Sequence, residues 1–279
     1  MKKKTALVLG ASRGIGRTIA LEIAKTYNVV VSSKTELDLQ KLTKEIINNG
    51  GSAFYHCCNV MEAQAVNDLI NFTIKVFGSI DVVIYNSGAI FHGNLSDTSI
   101  KKFQLLQKVN VEGLYFTINF TLPFFKKQKC GRLIVISPPI YSRFFRGKCA
   151  YAVGKVGMSV LVSGLAMELE EEFKNQISVT ALWPATAVES AVTTNVESKY
   201  LRSPLIFSDA VLEILKSEPA EVNGKFLIDE DFLRSKGQTD FLKYSLIKNA
   251  EVPRMMPKKF PSLLVEEQDD RGFLMKSNI

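Results

Sequence analysis

Thr5-Ala6-Leu7-Val8-Leu9-Gly10-Ala11-Ser12-Arg13-Gly14-Ile15-Gly16 decides the fold. The first five residues read as a buried strand. The glycines at 10, 14 and 16 then read as a tight turn that opens a helix. Glycine at these places lets the backbone approach a pyrophosphate closely. A helix N-terminus favours that negative charge. In this strand–turn–helix context nucleotide binding outweighs a ligand-free glycine loop. The candidate contacts are Gly10, Ser12, Arg13, Gly14, Ile15 and Gly16.

Working outward, short Val/Ile-rich runs at 5–9, 28–33, 53–57, 80–85, 132–137, 177–182 and 225–228 read as strands. They are apolar nearly throughout, as buried parallel strands are. Helix-patterned stretches lie between them at 14–26, 36–49, 62–77, 99–128, 150–173 and 207–217. The alternation implies an α/β fold: one doubly wound Rossmann-type domain with seven parallel strands over residues 1–235. Right-handed crossovers would put every strand C-terminus along one edge, where ligands bind. Residues 236–279 carry Pro253, Pro257, Pro261 and the acidic run Glu266-Glu267-Gln268-Asp269-Asp270. They read as a C-terminal extension, either wrapping the core or partly disordered, and not as a second domain.

The composition agrees. The chain has 279 residues, 46% of them hydrophobic, which suits one large core. No apolar run reads as a membrane span. A cleavable leader is not expected, because its removal would take the first strand. Cys57, Cys58, Cys130 and Cys149 match neither a zinc site nor a disulfide framework. Reduced thiols and a cytoplasmic location are expected, with peroxisome and mitochondrion left open. Ser277-Asn278-Ile279 is not a peroxisomal signal. The net charge of +7 raises nucleic-acid binding, but Lys and Arg are spread among acids. An anionic cofactor explains local positive charge equally well, so no nucleic-acid partner is expected. No cluster has metal-ligand spacing, and no metal is expected. His56 reads as a core or edge residue. His92 reads as an exposed loop residue or one facing a substrate.

The second strand ends in Val31-Ser32-Ser33-Lys34-Thr35. An NAD enzyme would place an acid there for the ribose hydroxyls. Ser33 and Lys34, with Arg13 nearby, instead suit a 2′-phosphate, and NADP(H) is the expected cofactor. Further on, Tyr151 and Lys155 lie one helical turn apart and share a face. An ammonium beside a phenol would lower the phenol's pKa from about 10 and equip it for acid/base work.

The glycine turn, Asn86-Ser87-Gly88, Asn110 within Val109-Asn110-Val111, and the Tyr151–Lys155 pair together resemble the short-chain dehydrogenase/reductase family over roughly residues 4–230. Ile136-Ser137-Pro138-Pro139, Cys149-Ala150-Tyr151, Ala181-Leu182-Trp183-Pro184 and Gly224–Glu230 resemble its hydroxysteroid dehydrogenase-like protein 2 group more closely. Members of that group can carry a sterol-carrier-like C-terminal domain, for which this chain is too short. The resemblance implies that Tyr151 exchanges a proton with the substrate oxygen. Lys155 would lower its pKa and hold the nicotinamide ribose. Asn110 would anchor a relay water, Asn86 would line the cofactor cleft, and Asn59-Val60 would lie near the adenine.

Two departures stand out. The serine that orients substrate in the family would fall at Pro138, which has no hydrogen bond to donate. Ser137, one residue earlier, is the expected substitute. The family's Pro-Gly after the sixth strand reads Pro184-Ala185, with Glu189 where a threonine is usual. Val188, through its backbone, and Thr186 are the expected cofactor contacts there. Tyr141, Phe144 and Phe145 either wall an apolar pocket or, with Arg143, Arg146 and Lys148, form a surface segment. The implied function is an NADP(H)-dependent oxidoreductase, a homodimer or homotetramer, acting on the carbonyl or alcohol of an apolar small molecule. The alternative is an NADP(H)-binding scaffold or sensor with weak or no catalysis, which the missing serine favours.

Overall fold

The computed structural model describes residues 3–173 and 176–263. The acidic run at 266–270 and the terminal tripeptide lie outside them. Seven strands form one parallel sheet: β1 (Thr5–Leu9), β2 (Asn28–Ser33), β3 (Ser52–Cys57), β4 (Val82–Tyr85), β5 (Gly131–Val135), β6 (Ile177–Trp183) and β7 (Phe226–Ile228). Their order is β3-β2-β1-β4-β5-β6-β7. The chain leaves β1 toward β2 and returns on the other side at β4, so the switch point lies between β1 and β4.

Both faces of the sheet are covered. Ala6 and Val8 of β1 pack with α1 (Gly14–Ile23), α2 (Glu36–Asn48) and, further along the sheet, α7 (Leu205–Lys216). Leu7 and Leu9 face the opposite layer, built from α3 (Ala63–Phe77), α5 (Gly113–Gln128) and α6 (Cys149–Phe173). Strand alternation sends neighbouring side chains to opposite faces, so strands buried on both sides are apolar throughout. By length and composition, Cys149–Glu170 of α6 is apolar enough to cross a membrane. That departs from the sequence expectation of no such run. Its side chains Met158, Val162, Leu165 and Leu169 are buried on the sheet, which is the other reason a long helix is apolar.

The stretch 99–128 is not one helix. It divides into α4 (Ile100–Gln107), a π turn at Lys108–Glu112, and α5. The wider turn displaces the i→i−4 ladder. Tyr85 Oη donates to the Val109 carbonyl at 2.6 Å. A Cβ at position 113 would collide with that phenol, so glycine is needed there. The bend carries Asn110, which is fully buried.

Two short helices, α8 (Pro219–Val222) and α9 (Asp229–Ser235), flank β7. Beyond α9 the chain runs back along the domain. Ser245 pairs with Arg202, and Arg254 pairs with Thr186, just past the C-terminal end of β6.

Candidate active site

The glycine turn is closed by contacts across the switch point. Asn86 Nδ2 donates to the Gly10 carbonyl at 2.9 Å. Gly10 has φ +76, and a Cβ there would lie 2.7 Å from the Ser87 nitrogen. A Cβ on Gly16 would come within 2.5 Å of Asn86 Nδ2. Any larger residue at either place would push β1, β4 and α1 apart. Arg13 is the N-cap of α1 but caps with no side-chain bond, and no acid lies in the first turn. The first N–H groups of α1, Gly14 and Ile15 among them, are left for an anion. The nearest atoms to a Cβ on Gly14 belong to Ser190, at 3.9 Å, so the loop after β6 faces the turn across a gap. Backbone cradle and uncapped helix start both fit a dinucleotide pyrophosphate.

Lys34, just past the end of β2, and Arg13, in the glycine turn, are both exposed. Ser33 Oγ accepts from the Thr35 nitrogen at 3.2 Å. Asn59 spends its amide locally, Nδ2 donating to Glu62 Oε1 at 2.5 Å at the start of α3. Val60 is buried against that layer.

α6 packs against the π turn through Gly154 and Gly157, where a Cβ would lie 3.1 Å from Asn110 Nδ2 and 3.0 Å from Val111, and it carries Tyr151 and Lys155 beside that contact. The amide of Asn110 brackets Ala89: Oδ1 accepts its N–H and Nδ2 donates to its carbonyl, both at 3.0 Å. A Cβ on Gly88 would be 3.5 Å from Asn110 Oδ1 and 3.5 Å from Lys155 Nζ, so these groups converge on one spot. Lys155 Nζ donates to the Ile136 carbonyl at 2.7 Å. Tyr151 is 5% exposed and its hydroxyl makes no hydrogen bond among the described residues. The electrostatics reverse the sequence expectation. Burial drives the Tyr151 phenol well above its ordinary range, and burial pulls Lys155 down to about 7. Both charged forms are penalised by the same dry surroundings, and no lowering of the phenol by the ammonium emerges.

Ser137 is fully buried, and its Oγ has no hydrogen-bond partner among the described residues. The following prolines are held from α6, where Ser159 Oγ donates to the Pro138 carbonyl at 2.6 Å.

After β6 the chain passes through Pro184, Ala185, buried Thr186 and buried Val188. Sequence reasoning missed what fixes this loop. Asp229, fully buried, accepts the Ala185 N–H at 2.8 Å and the Glu230 N–H at 2.6 Å through Oδ1. Arg202, whose backbone pairs with the loop at Val188, ion-pairs Glu230 at 2.5 Å. An acid directly behind the apolar strand Phe226–Ile228 was the available signal. Burial raises the Asp229 carboxyl from 3.8 to about 7. The folded state therefore holds a proton that the unfolded chain releases above 3.8. Stability from this group is full below that value and is lost as pH rises through about 7. Asp229→Asn keeps an acceptor for both N–H groups without the charge. It is expected to gain a few kcal/mol over the parent at pH 8 and almost nothing at pH 4, read by urea denaturation at both.

An aromatic shell surrounds the tyrosine. The rings of His92 and Phe144 lie 5.6 and 6.1 Å from that of Tyr151, and Trp183 lies 5.8 Å from Phe144. Tyr141 and Phe144 are buried in one cluster with Tyr151, whereas Phe145, Arg143 and Arg146 are exposed. The segment is thus wall on one side and surface on the other. Burial, then the nearby Lys148 charge, lowers the His92 pKa, so the imidazole is neutral at pH 7.

A doubly wound sheet with a glycine turn at its switch point is the architecture of dinucleotide-binding folds, and Lys155 and Asn110 converge at the strand ends beside it. The chain belongs to the short chain dehydrogenase family, whose sequence model matches residues 4–201. It is 35% identical over 281 residues to hydroxysteroid dehydrogenase-like protein 2 of Mus musculus, covering 95% of this chain and 56% of that protein. The chain thus spans little more than half the length of that relative. Among solved structures, a short chain dehydrogenase from Mycobacterium thermoresistibile superposes with TM-score 0.83 at 28% identity, covering 91% of this chain and 94% of that one. An alcohol dehydrogenase from Thermococcus sibiricus, complexed with 5-hydroxy-NADP, gives TM-score 0.70 at 25% identity over 81% of this chain and 95% of that one.

Proposed function

We propose that this protein transfers a hydride between NADP(H) and the carbonyl or alcohol carbon of an apolar small molecule, with Tyr151 as general acid/base. The observation that carries the reading is the convergence of Asn110 and Lys155 beside Gly88, with Lys155 on the same helix face as a tyrosine whose hydroxyl has no hydrogen-bond partner among the described residues. The bound nicotinamide supplies or accepts the hydride. In the reductive direction the Tyr151 hydroxyl, kept protonated by its burial, donates to the substrate oxygen. Lys155 replenishes that proton through a relay water that Asn110 would anchor, and the aromatic shell limits water at the reacting carbon. Ser137, whose Oγ has no hydrogen-bond partner among the described residues, is the hydroxyl assigned to the substrate oxygen.

The cofactor would be held by the Gly10–Gly16 turn with Ser12, Arg13 and Ile15, by Asn86, and by the loop from Pro184 through Thr186 to Val188. Asn59 and Val60 would flank its adenine. Ser33, Lys34 and Arg13 would take the 2′-phosphate, and the Thermococcus sibiricus protein supports NADP over NAD by analogy. A charge-assisted contact to that phosphate is worth about 10- to 100-fold in affinity. Fluorescence titration should therefore give NADPH at least ~10-fold tighter than NADH. Lys34→Asp should remove that preference. Tighter NADH binding by the parent protein would sink the assignment. A panel of aldehydes and ketones, followed by loss of NADPH absorbance, tests the activity itself.

A second reading, a nucleotide-binding scaffold with little catalysis, is favoured by Pro138 at the serine position and by the full burial of Ser137. A panel in which no carbonyl is reduced, alongside tight NADPH binding, would select it.

A further inference from the structure

The family match ends at residue 201, yet the chain returns to the site well beyond it. From Val252 to Phe260 it forms a strap across the loop after β6. The Met255 and Met256 nitrogens both donate to the Ala185 carbonyl, at 2.8 and 3.1 Å. The Arg254 guanidinium forks onto Asp231 of α9 at 2.6 and 2.7 Å. Its Nε donates to the Met256 carbonyl at 2.8 Å. From the other side Arg143 Nη2 donates to the Met255 carbonyl at 2.7 Å. The strap is therefore fixed by backbone and by charge on three sides, and both guanidiniums are occupied in fixing it.

What it turns inward is apolar. The Tyr141 hydroxyl contacts Met256 Sδ at 3.2 Å, and the Phe260 ring lies 5.3 Å from that of Tyr141. Met256 and Phe260 are partly buried against the cluster that contains Tyr141, Phe144 and Tyr151. Met255, the neighbour facing out, is 45% exposed. Two side chains brought from the far end of the chain thus join, through Tyr141, the apolar cluster that holds Tyr151, with no charge of their own. A flexible thioether beside rigid rings suits hydrocarbon of variable shape.

We propose that Met256 and Phe260 are specificity-determining residues: with Tyr141 and Phe144 they form an apolar wall that takes the hydrocarbon part of an extended carbonyl or alcohol substrate. The wall rests on the oxidoreductase reading only for the reactive end of that substrate.

Trp183, the single tryptophan, lies 5.8 Å from Phe144, so its fluorescence reports ligand at this wall without requiring turnover. NADPH-saturated protein is titrated with butan-2-one and decan-2-one. The parent is expected to bind decan-2-one ~10-fold or more tighter, since each added buried methylene contributes. Met256→Ala/Phe260→Ala should lose most of that difference, leaving butan-2-one and NADPH within ~2-fold of the parent. Met256→Leu should restore a single Met256→Ala loss. Met256→Gln, which keeps the volume, should lower decan-2-one affinity if the double variant is unstable. Equal binding of the two ketones by the parent overturns the wall, as does an unchanged preference in the folded variants. Parallel weakening of both ketones and NADPH would show a structural role only, and also overturns it. Where turnover is measurable, the variants should raise KM for decan-2-one and spare kcat. Chain-length-dependent binding with no NADPH oxidation would sink the oxidoreductase reading while leaving the wall in place.

Discussion

Tyr151→Phe is expected to lower turnover by about 10³-fold or more while NADPH still binds within a factor of about two. The phenol ring packs beside Phe144 and His92, and phenylalanine keeps that packing. The hydroxyl makes no hydrogen bond to the described protein, so its loss orphans no partner. The stability change should stay within about 1 kcal/mol. The fold is thus indifferent to an atom that the proposed chemistry requires. Loss of NADPH absorbance with a reducible ketone measures turnover, and Trp183 fluorescence measures cofactor binding. Retained turnover in a folded Tyr151→Phe protein would refute the acid/base assignment. Loss of NADPH binding would mean the ring positions the cofactor instead.

The sheet was legible because its physics is local. Thr5–Leu9 must be apolar on both faces, and the turn after it must be glycine where Asn86 and Ser87 press against it. The break at Lys108–Glu112 was not legible. The residues on either side are helix formers, and the turn is shaped by Tyr85, more than twenty residues away in sequence. The strap escaped for a similar reason. Its prolines and mixed charges carry no period, and its position depends on Asp231 and the Ala185 carbonyl. Asp229 was visible only as an acid behind the apolar strand Phe226–Ile228, and its inward direction is fixed by the Ala185 N–H, more than forty residues away in sequence. The four-residue spacing of Tyr151 and Lys155 did bring both to one helix face. It said nothing of burial, and burial is what sets their protonation.

Lys155→Met separates what that burial does for the fold from what it does for function. The ammonium ordinarily titrates near 10.5 and in the folded protein near 7. Between those values the unfolded chain binds more protons than the folded one, so stability from this group rises with pH from about 7 toward 10.5. Below pH 7 the burial of the charge costs up to about 5 kcal/mol, and near pH 10.5 it costs nothing. Methionine fills the same space and removes that penalty, but it leaves the Ile136 carbonyl without its donor, at about 1–3 kcal/mol. The variant should therefore be more stable than the parent by about 2–4 kcal/mol at pH 6, and less stable by up to about 2 kcal/mol at pH 10, with a crossover between. Turnover should fall by about 10²-fold or more at every pH. Urea denaturation at pH 6, 8 and 10 reads the crossover. A variant that gains stability below pH 7 and yet stays inactive would show a buried cation retained for function against the interest of the fold. One that loses stability at all three pH values would show that the bond from Nζ to the Ile136 carbonyl outweighs the burial.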